Sequence, residues 1–387
     1  MKDTNRKKKF MKIFRIVLLV LCSVILVLGG TISLLLHGYI SKLNIVTAKS
    51  DASQEISDID EIVSEDEDIG SDTEEIAEAP LSTAPAYIEA VYSKGEISEE
   101  DAAIEAYLKS IKENIDTENA VHSNSKIWNI LLIGSDSRDT DSRGRSDSMI
   151  LITLNKEAKE ITATSFLRDI YLEIPGKGEN RLNAAYAYGG AELLLDTLEL
   201  NFKIKVDEYV KVDFFDFIDI IDAIGGLSMD VSKAELEVMN GYIREMNALL
   251  SKDKEEDVIE EAGTYRLNGK QVLAYSRNRY TKNGDFDRTD RQREILQALL
   301  KKVYSLNPIE LNNLLNTILP QITTNITEGD ILLQLLSMPS YTEYKINQFC
   351  IPVQGSFTNR RIKGMQVLCI DFVDNRKQLN SKLYHIE

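Results

Sequence analysis

One segment constrains this chain more than any other: Ile16–Leu36 runs 21 residues without a charge. A helix needs about 20 apolar residues to cross the hydrocarbon core of a bilayer. Ahead of it, Met1–Arg15 carries seven Lys or Arg against Asp3 alone. Basic flanks stay in the cytoplasm. The expected arrangement is therefore a cytoplasmic tail at 1–15, a single membrane helix at 16–36 and an extracytoplasmic remainder. A cleaved signal peptide is the competing reading. Its apolar core would span about 7–15 residues and end at a small-x-small site, and no such site follows Leu36. Either reading leaves the rest of the chain outside.

The formal net charge of −17 looks hostile to anionic ligands, but it is local. Asp51–Pro80 holds thirteen Asp or Glu and no Lys or Arg, so the remainder carries only −4. Such a stretch buries too little apolar surface to fold, and 37–85 reads as an acidic flexible spacer. A helical accessory segment is expected at 86–125 and the main domain at 126–387. The three histidines, His37, His122 and His385, all lie outside the motif-rich middle. That argues against a Ser–His–Asp hydrolase or a His-ligated zinc site. Cys350 and Cys369 fall in what read as two successive strands. They could form a disulfide outside the cell, or simply be two small buried residues.

Short Ile- and Thr-rich runs predict strands at Trp128–Gly134, Ser148–Thr153, Ile161–Phe166, Asp169–Ile174, Glu208–Val212 and Leu227–Val231, with two more near Asn347–Pro352 and Met365–Asp371. Helices are expected at Ala86–Glu118, Asn183–Asn201, Phe214–Ile224, Gly269–Ala274, Thr289–Tyr304, Ile309–Thr317, Gly329–Leu336 and Asn375–Tyr384. Strands alternating with helices imply a layered α/β domain.

Several motifs could carry chemistry. Gly134-Ser135-Asp136-Ser137-Arg138 sits where the first strand runs out, where open α/β sheets bind ligands. Arg145-Ser146-Asp147 opens the next strand. Asp136 and Asp147 could share a hard cation such as Mg²⁺; by spacing alone, plain loop acids account for them better. Arg168, in Ser165-Phe166-Leu167-Arg168-Asp169, interrupts an apolar run, and pairing with Asp169 is its ordinary explanation. Arg181-Leu182-Asn183-Ala184-Ala185-Tyr186, with Gly189-Gly190, opens a helix whose free N–H groups suit an anion; Asn183 is either an N-cap or a ligand contact. In Ala274-Tyr275-Ser276-Arg277-Asn278-Arg279, an extended chain would place Arg277 and Arg279 on one face. Beyond Gly284-Asp285-Phe286-Asp287-Arg288, helical spacing lets Arg288, Arg291 and Gln292 share one face, continued as apolar by Ile295, Leu296 and Leu299. A solvated face salt-bridged through Asp285, Asp287, Asp290 and Glu294 would explain those charges equally well.

Taken in order, these seven motifs, with Tyr209–Leu227 among them, resemble the LytR–CpsA–Psr family of cell-wall enzymes, from Asn129 to about Val303. The resemblance implies a layered α-β-α domain with a central mixed sheet. It also implies transfer of an anionic glycopolymer, teichoic acid or capsular polysaccharide, from a polyprenyl-pyrophosphate carrier to peptidoglycan. Asp136 and Asp147 match the family's Mg²⁺-associated acids. Arg138, Arg145, Arg168, Arg277, Arg279, Arg288 and Gln292 match positions that hold the pyrophosphate. Asp287 departs from the glycine common before the matching arginine. Asp136, Asp147 or Asp285 could take the proton of the attacking hydroxyl. A metal-bound carboxylate is a poor base, which favours Asp285. Phe214, Phe215, Phe217, Ile218 and Ile221 are candidates for a lipid slot, or ordinary core.

Two other readings use the same residues: a lipid-pyrophosphate hydrolase with water as acceptor, and a non-catalytic binder of lipid-linked polymers. Nucleic acid is excluded as a partner, because a domain outside the membrane does not meet it.

Overall fold

The computed structural model describes residues 36–46, 98–117, 121–136, 143–278, 284–341 and 343–386. The expected membrane helix (Leu36 aside), most of the expected spacer, Arg138 and Arg279 lie outside them. Among the described residues no helix is long and apolar enough to cross a membrane.

In chain order the elements begin with β1 (Asn44–Ile45), α1 (Glu99–Asp116), β2 (Ile127–Ser135), β3 (Ser146–Asn155), β4 (Glu160–Phe166), β5 (Tyr171–Ile174) and β6 (Gly178–Arg181). Next come α2 (Leu182–Phe202), β7 (Glu208–Asp213), α3 (Phe214–Ala223), β8 (Leu227–Val231), α4 (Lys233–Leu249), β9 (Gly263–Leu267) and α5 (Gly269–Arg277). The chain continues through α6 (Asp285–Tyr304), α7 (Pro308–Ile318), β10 (Thr323–Thr324), α8 (Glu328–Tyr341) and β11 (Lys345–Ile351). It closes with β12 (Phe357–Ile362), β13 (Met365–Ile370) and α9 (Phe372–Tyr384).

Seven strands form one mixed sheet in the order β1-β10-β7-β2-β3-β4-β11. β2 pairs antiparallel with β3 and parallel with β7, so both kinds of ladder meet at its centre. Burial alternates along β2, as a period of two requires when its faces differ. Leu131 and Ile133 enter a core with Leu194, Leu198 and Phe202 of α2 and Leu379 of α9. A second core joins Ile221 of α3, Met239 and Ile243 of α4, Val272 of α5 and Ile295 of α6 to the β8–β9 ribbon. These two cores are the helical layers of the expected α/β class, around a sheet that is mixed.

Sequence pattern and structure part at several places. Helix α4 and strands β6, β9 and β12 were not anticipated. Helix α4 carries legible signals: a Ser232–Glu235 capping box and Met239, Ile243 and Met246 on one buried face. Gly241 in its middle masks them. Helix α5 runs on through Arg277, so Ser276–Arg277 is helical and the expected extended pair with Arg279 does not form at Arg277. Cys350 and Cys369 are free. Cys350 lies on β11, paired to β4, whereas Cys369 lies on β13, paired to β12; the intervening strand β12 separates what looked like a hairpin. Asn183 does not cap α2, since that position is Arg181.

Residues 36–46, mostly assigned to the spacer, pack on the domain. Ile40 is buried. His37 bonds Glu328 and Lys42 bonds Asn316. Asn44 and Ile45 extend the sheet beside Thr323 and Thr324.

Candidate active site

The site forms at one end of the central strands. The registers Gly134↔Ser148 and Ser135↔Ser146 bring the end of β2 beside the start of β3, so Asp136 and Asp147 share that end. Asp136 clasps Arg145: its N–H donates to the Arg145 carbonyl at 3.0 Å, and its Oδ1 accepts the Arg145 N–H. This closes the mouth of the intervening loop.

Arg168 follows β4 and is fixed from both sides. Leu167 N–H donates to Ile351 on β11, and the Arg168 carbonyl accepts the Asn183 N–H at the start of α2. Its side chain then turns into a cluster of acids. Nη1 donates to Asp147 Oδ1 at 2.6 Å, and Nε lies 3.6 Å from Asp169 and 3.8 Å from Asp285. Arg181, returned by the β5–β6 hairpin, meets Asp169 at 3.3 Å. Arg288, one turn into α6 and buried, lies 3.4 Å from Asp285. One helical turn on, Gln292 accepts a hydrogen bond from Ser148 at 3.0 Å.

Electrostatics follow from this crowding. Burial works against ionising Asp147, but Arg168 and Arg288 outweigh it and hold its pKa at about 2. Burial, aided by the charge of Asp285, pushes Asp169 up. Burial also opposes the charge on Arg168, yet its three carboxylate neighbours raise its pKa. Arg288 goes down, through burial and repulsion from Arg168. The Nε atoms of Arg168 and Arg288 and Oδ2 of Asp285 are buried without a hydrogen-bond partner. An unmade bond at a buried polar group costs about 1–3 kcal/mol, more when it is charged. The two guanidinium donors are thus arranged for an acceptor, and an oxyanion would supply it.

The cluster opens into a cavity of about 410 Å³. Asp147, Arg168, Arg277, Arg288 and Gln292 line its polar part. Leu132, Ile150, Val212, Ile220, Leu296, Leu299 and Ile322 line the rest, with Phe214 and Phe217. Alternation explains Leu132 and Ile150, which leave the strands opposite the first core. Of the slot candidates, Phe215, Ile218 and Ile221 do not line the cavity, and Ile221 is fully buried in the second core. Arg277 stands over Tyr242 at 4.4 Å and Phe214 at 5.4 Å, and pairs with Glu245 at 3.6 Å. The face shared by Arg288 and Gln292 does not include Arg291. That side chain turns away, donating to Glu235 at 2.8 Å and to the Asn278 carbonyl at 2.7 Å. Most of the apolar wall escaped sequence reasoning, because Val212, Ile318 and Ile322 become neighbours only through the fold.

Comparison with known proteins gives this geometry a context. The model of the LytR_cpsA_psr family matches residues 88–382. The chain belongs to the LytR–CpsA–Psr family. Within the family, it is 34% identical over 214 residues to the polyisoprenyl-teichoic acid–peptidoglycan teichoic acid transferase TagU of Enterococcus faecalis, a match covering 54% of this chain and 65% of that relative. The chain thus spans just under two thirds of that relative. Among solved structures, TagT bound to LI-WTA aligns with a TM-score of 0.54 at 24% identity, covering 69% of this chain and 95% of TagT. TagT with bound octaprenyl pyrophosphate lipid aligns with a TM-score of 0.51 at 24% identity, covering 69% and 95%. At this identity, the likeness to both establishes the fold.

Proposed function

We propose that this protein is a Mg²⁺-dependent phosphotransferase. It moves an anionic glycopolymer from a polyprenyl-pyrophosphate carrier to peptidoglycan, outside the cytoplasm, on the single anchor Ile16–Leu36. One observation carries the reading: a single cavity joins a buried arginine–carboxylate cluster to an apolar channel. A prenyl pyrophosphate has that same division, a charged head and a hydrocarbon tail. The transferase names of the relatives and the lipid pyrophosphate seen with TagT point the same way.

The cluster is charge-balanced as it stands, with Arg168, Arg181 and Arg288 facing Asp147, Asp169 and Asp285. A pyrophosphate diester adds two negative charges, which one Mg²⁺ together with the further arginines assigned to it would balance. We assign Asp136 and Asp147, which follow and open neighbouring strand ends, as its protein ligands. Among the described residues no group of three or more His, Cys, Asp or Glu could hold a metal, and Mg²⁺ is commonly held by one or two carboxylates with phosphate oxygens and water. When bound, the ion neutralises phosphate charge.

The residues do the positioning that phosphoryl transfer chiefly requires. Arg168, Arg277, Arg288 and Gln292 line the cavity around the pyrophosphate; Arg145, and Arg138 and Arg279 outside the described residues, are assigned to it through the family resemblance. A sugar hydroxyl of the acceptor attacks the phosphorus that bears the glycopolymer. The bond from that phosphorus to the bridging oxygen breaks, and polyprenyl phosphate leaves. The hydroxyl proton passes to Asp285, whose Oδ2 has no hydrogen-bond partner.

The test uses the full chain in detergent with a short lipid-pyrophosphate sugar, Mg²⁺ and glycan strands, following prenyl phosphate and glycan label. Label moving to glycan supports the proposal. Prenyl phosphate released without transfer would make the protein a hydrolase, and binding without release would make it a carrier of lipid-linked polymer.

A further inference from the structure

A second groove lies away from this cavity, between α1, the β12–β13 hairpin and the start of α9, with a volume of about 710 Å³. Its wall follows α1 from Ala103 to Thr117, roughly 20 Å at the helical rise per residue. Arg376 lines it and is only 8% exposed. Its Nε donates to the Phe372 carbonyl at 3.3 Å, while Nη1 is buried with no partner. No carboxylate among the described residues forms an ion pair with it.

The surroundings deepen that imbalance. Burial lowers the pKa of Arg376, and no neighbouring acid offsets it. Lys203, also buried, donates from Nζ to the Ile115 carbonyl at 3.2 Å. Its pKa is lowered by burial and then by Arg376, against the opposing charge of Asp116. Arg360 on β12 adds a second cation to the wall. Two acids also line the groove, and neither pairs with Arg376: Glu113 faces Lys109 at 3.4 Å, and Asp371 caps α9 through the Asp374 N–H at 3.0 Å. A buried charge left without a partner is strongly destabilising, so the groove is built to be completed by an anion.

We propose that this groove is a second anion site, which holds a carboxylate or phosphate of an extended polymer at Arg376 and Arg360. Its length exceeds what a lone oxyanion would fill. It also adjoins the first site. Phe357 in its wall stacks on Phe286, centroids 5.4 Å apart, and Phe286 follows Asp285 in sequence. Leu368 on β13 donates to the Asp169 carbonyl at 2.8 Å. A polymer lying here is one aromatic layer from the reacting cluster.

The binding claim does not depend on the pyrophosphate reading. Calorimetric titration of the full chain in detergent compares a short poly(glycerol phosphate) with a peptide bearing free carboxylates. At least one of them binds, and whichever binds more tightly identifies the source of the anion. Arg376→Gln and Arg360→Gln each weaken binding about tenfold, whereas Arg244→Gln, at a surface arginine on α4 paired to Glu255, leaves it unchanged. Should Arg376→Gln fail to fold, Arg360→Gln alone decides. Binding of neither probe, wild-type affinity in Arg360→Gln, or an equal loss in Arg244→Gln would each overturn the proposal.

Discussion

Arg168 and Asp147 form a 2.6 Å charge-assisted pair at the junction of the loop after β4 and the start of β3. Charge-assisted pairs of this kind give geometric specificity as well as energy. Removing either partner strands the other inside a buried cluster. Asp147→Asn and Arg168→Lys are each expected to cut kcat by roughly 10²–10³-fold, the usual effect of removing one group that stabilises transition-state charge. Lysine is not a substitute, because the site uses two edges of the guanidinium fork. Prenyl phosphate release per enzyme, measured beside a circular-dichroism melt, is the check.

The cavity wall makes a prediction specific to the lipid. Leu296→Asp places a carboxylate among apolar neighbours that would hold the tail. KM for a long-chain carrier should rise by more than tenfold, with a smaller effect on a carrier of one or two isoprene units. Equal effects on both carriers would remove Leu296 from the lipid path.

Arg291 lies three residues beyond Arg288 and does a different job. It holds Glu235 of α4 and the Asn278 carbonyl, both away from the cavity. Arg291→Met breaks a buried pair, and about 3–5 kcal/mol of stability is expected to go with it. KM of the fraction that remains folded should be unchanged, whereas Arg288→Met should abolish turnover in the fraction that folds. Chemical denaturation and kinetics on the same preparations separate the two.

Glu208, at the start of β7, is pushed up to about 7 by burial and by the charge of Asp330, against a hydrogen bond from Trp128. Its folded pKa lies above the unfolded value of about 4.3. The fold therefore favours the protonated form. That contribution is fully present below the unfolded pKa and is lost as pH rises from about 4.3 through 7. Glu208→Gln should raise the melting temperature relative to wild type at pH 8 and flatten the pH dependence across that window.

The sequence made some of this site legible and hid the rest for physical reasons. Helical spacing alone joins Arg288 to Gln292, and short β-branched runs reveal β2, β3 and β4. Helix α5, opened by the capping box of Asn268 and Gln271, runs past the expected end at Ala274 and takes in Arg277. The closure of Asp169 by Arg181 depends on the β5–β6 register, Tyr171 opposite Arg181, and β6 is too short and polar to read as a strand. The cavity wall was least legible, since Val212 and Ile322 lie on elements that meet only when the sheet assembles.

Strand β1 alters how the acidic stretch is understood. Asn44 and Ile45 are paired into the sheet edge, and the chain rejoins the same folded body at α1. Asp51–Pro80 is therefore bounded at both ends by one domain, and its length does not set how far that domain stands from a bilayer. With Ile16–Leu36 as the proposed anchor, the standoff falls to the few residues before Asn44, where His37 and Lys42 are themselves held. The same corner holds Ile322, which lines the cavity and accepts the Asn44 N–H at 3.1 Å. On that proposed anchor, a leash this short would keep an apolar wall of the cavity close to the surface from which a lipid tail would enter, and lengthening the acidic stretch would leave that height unchanged.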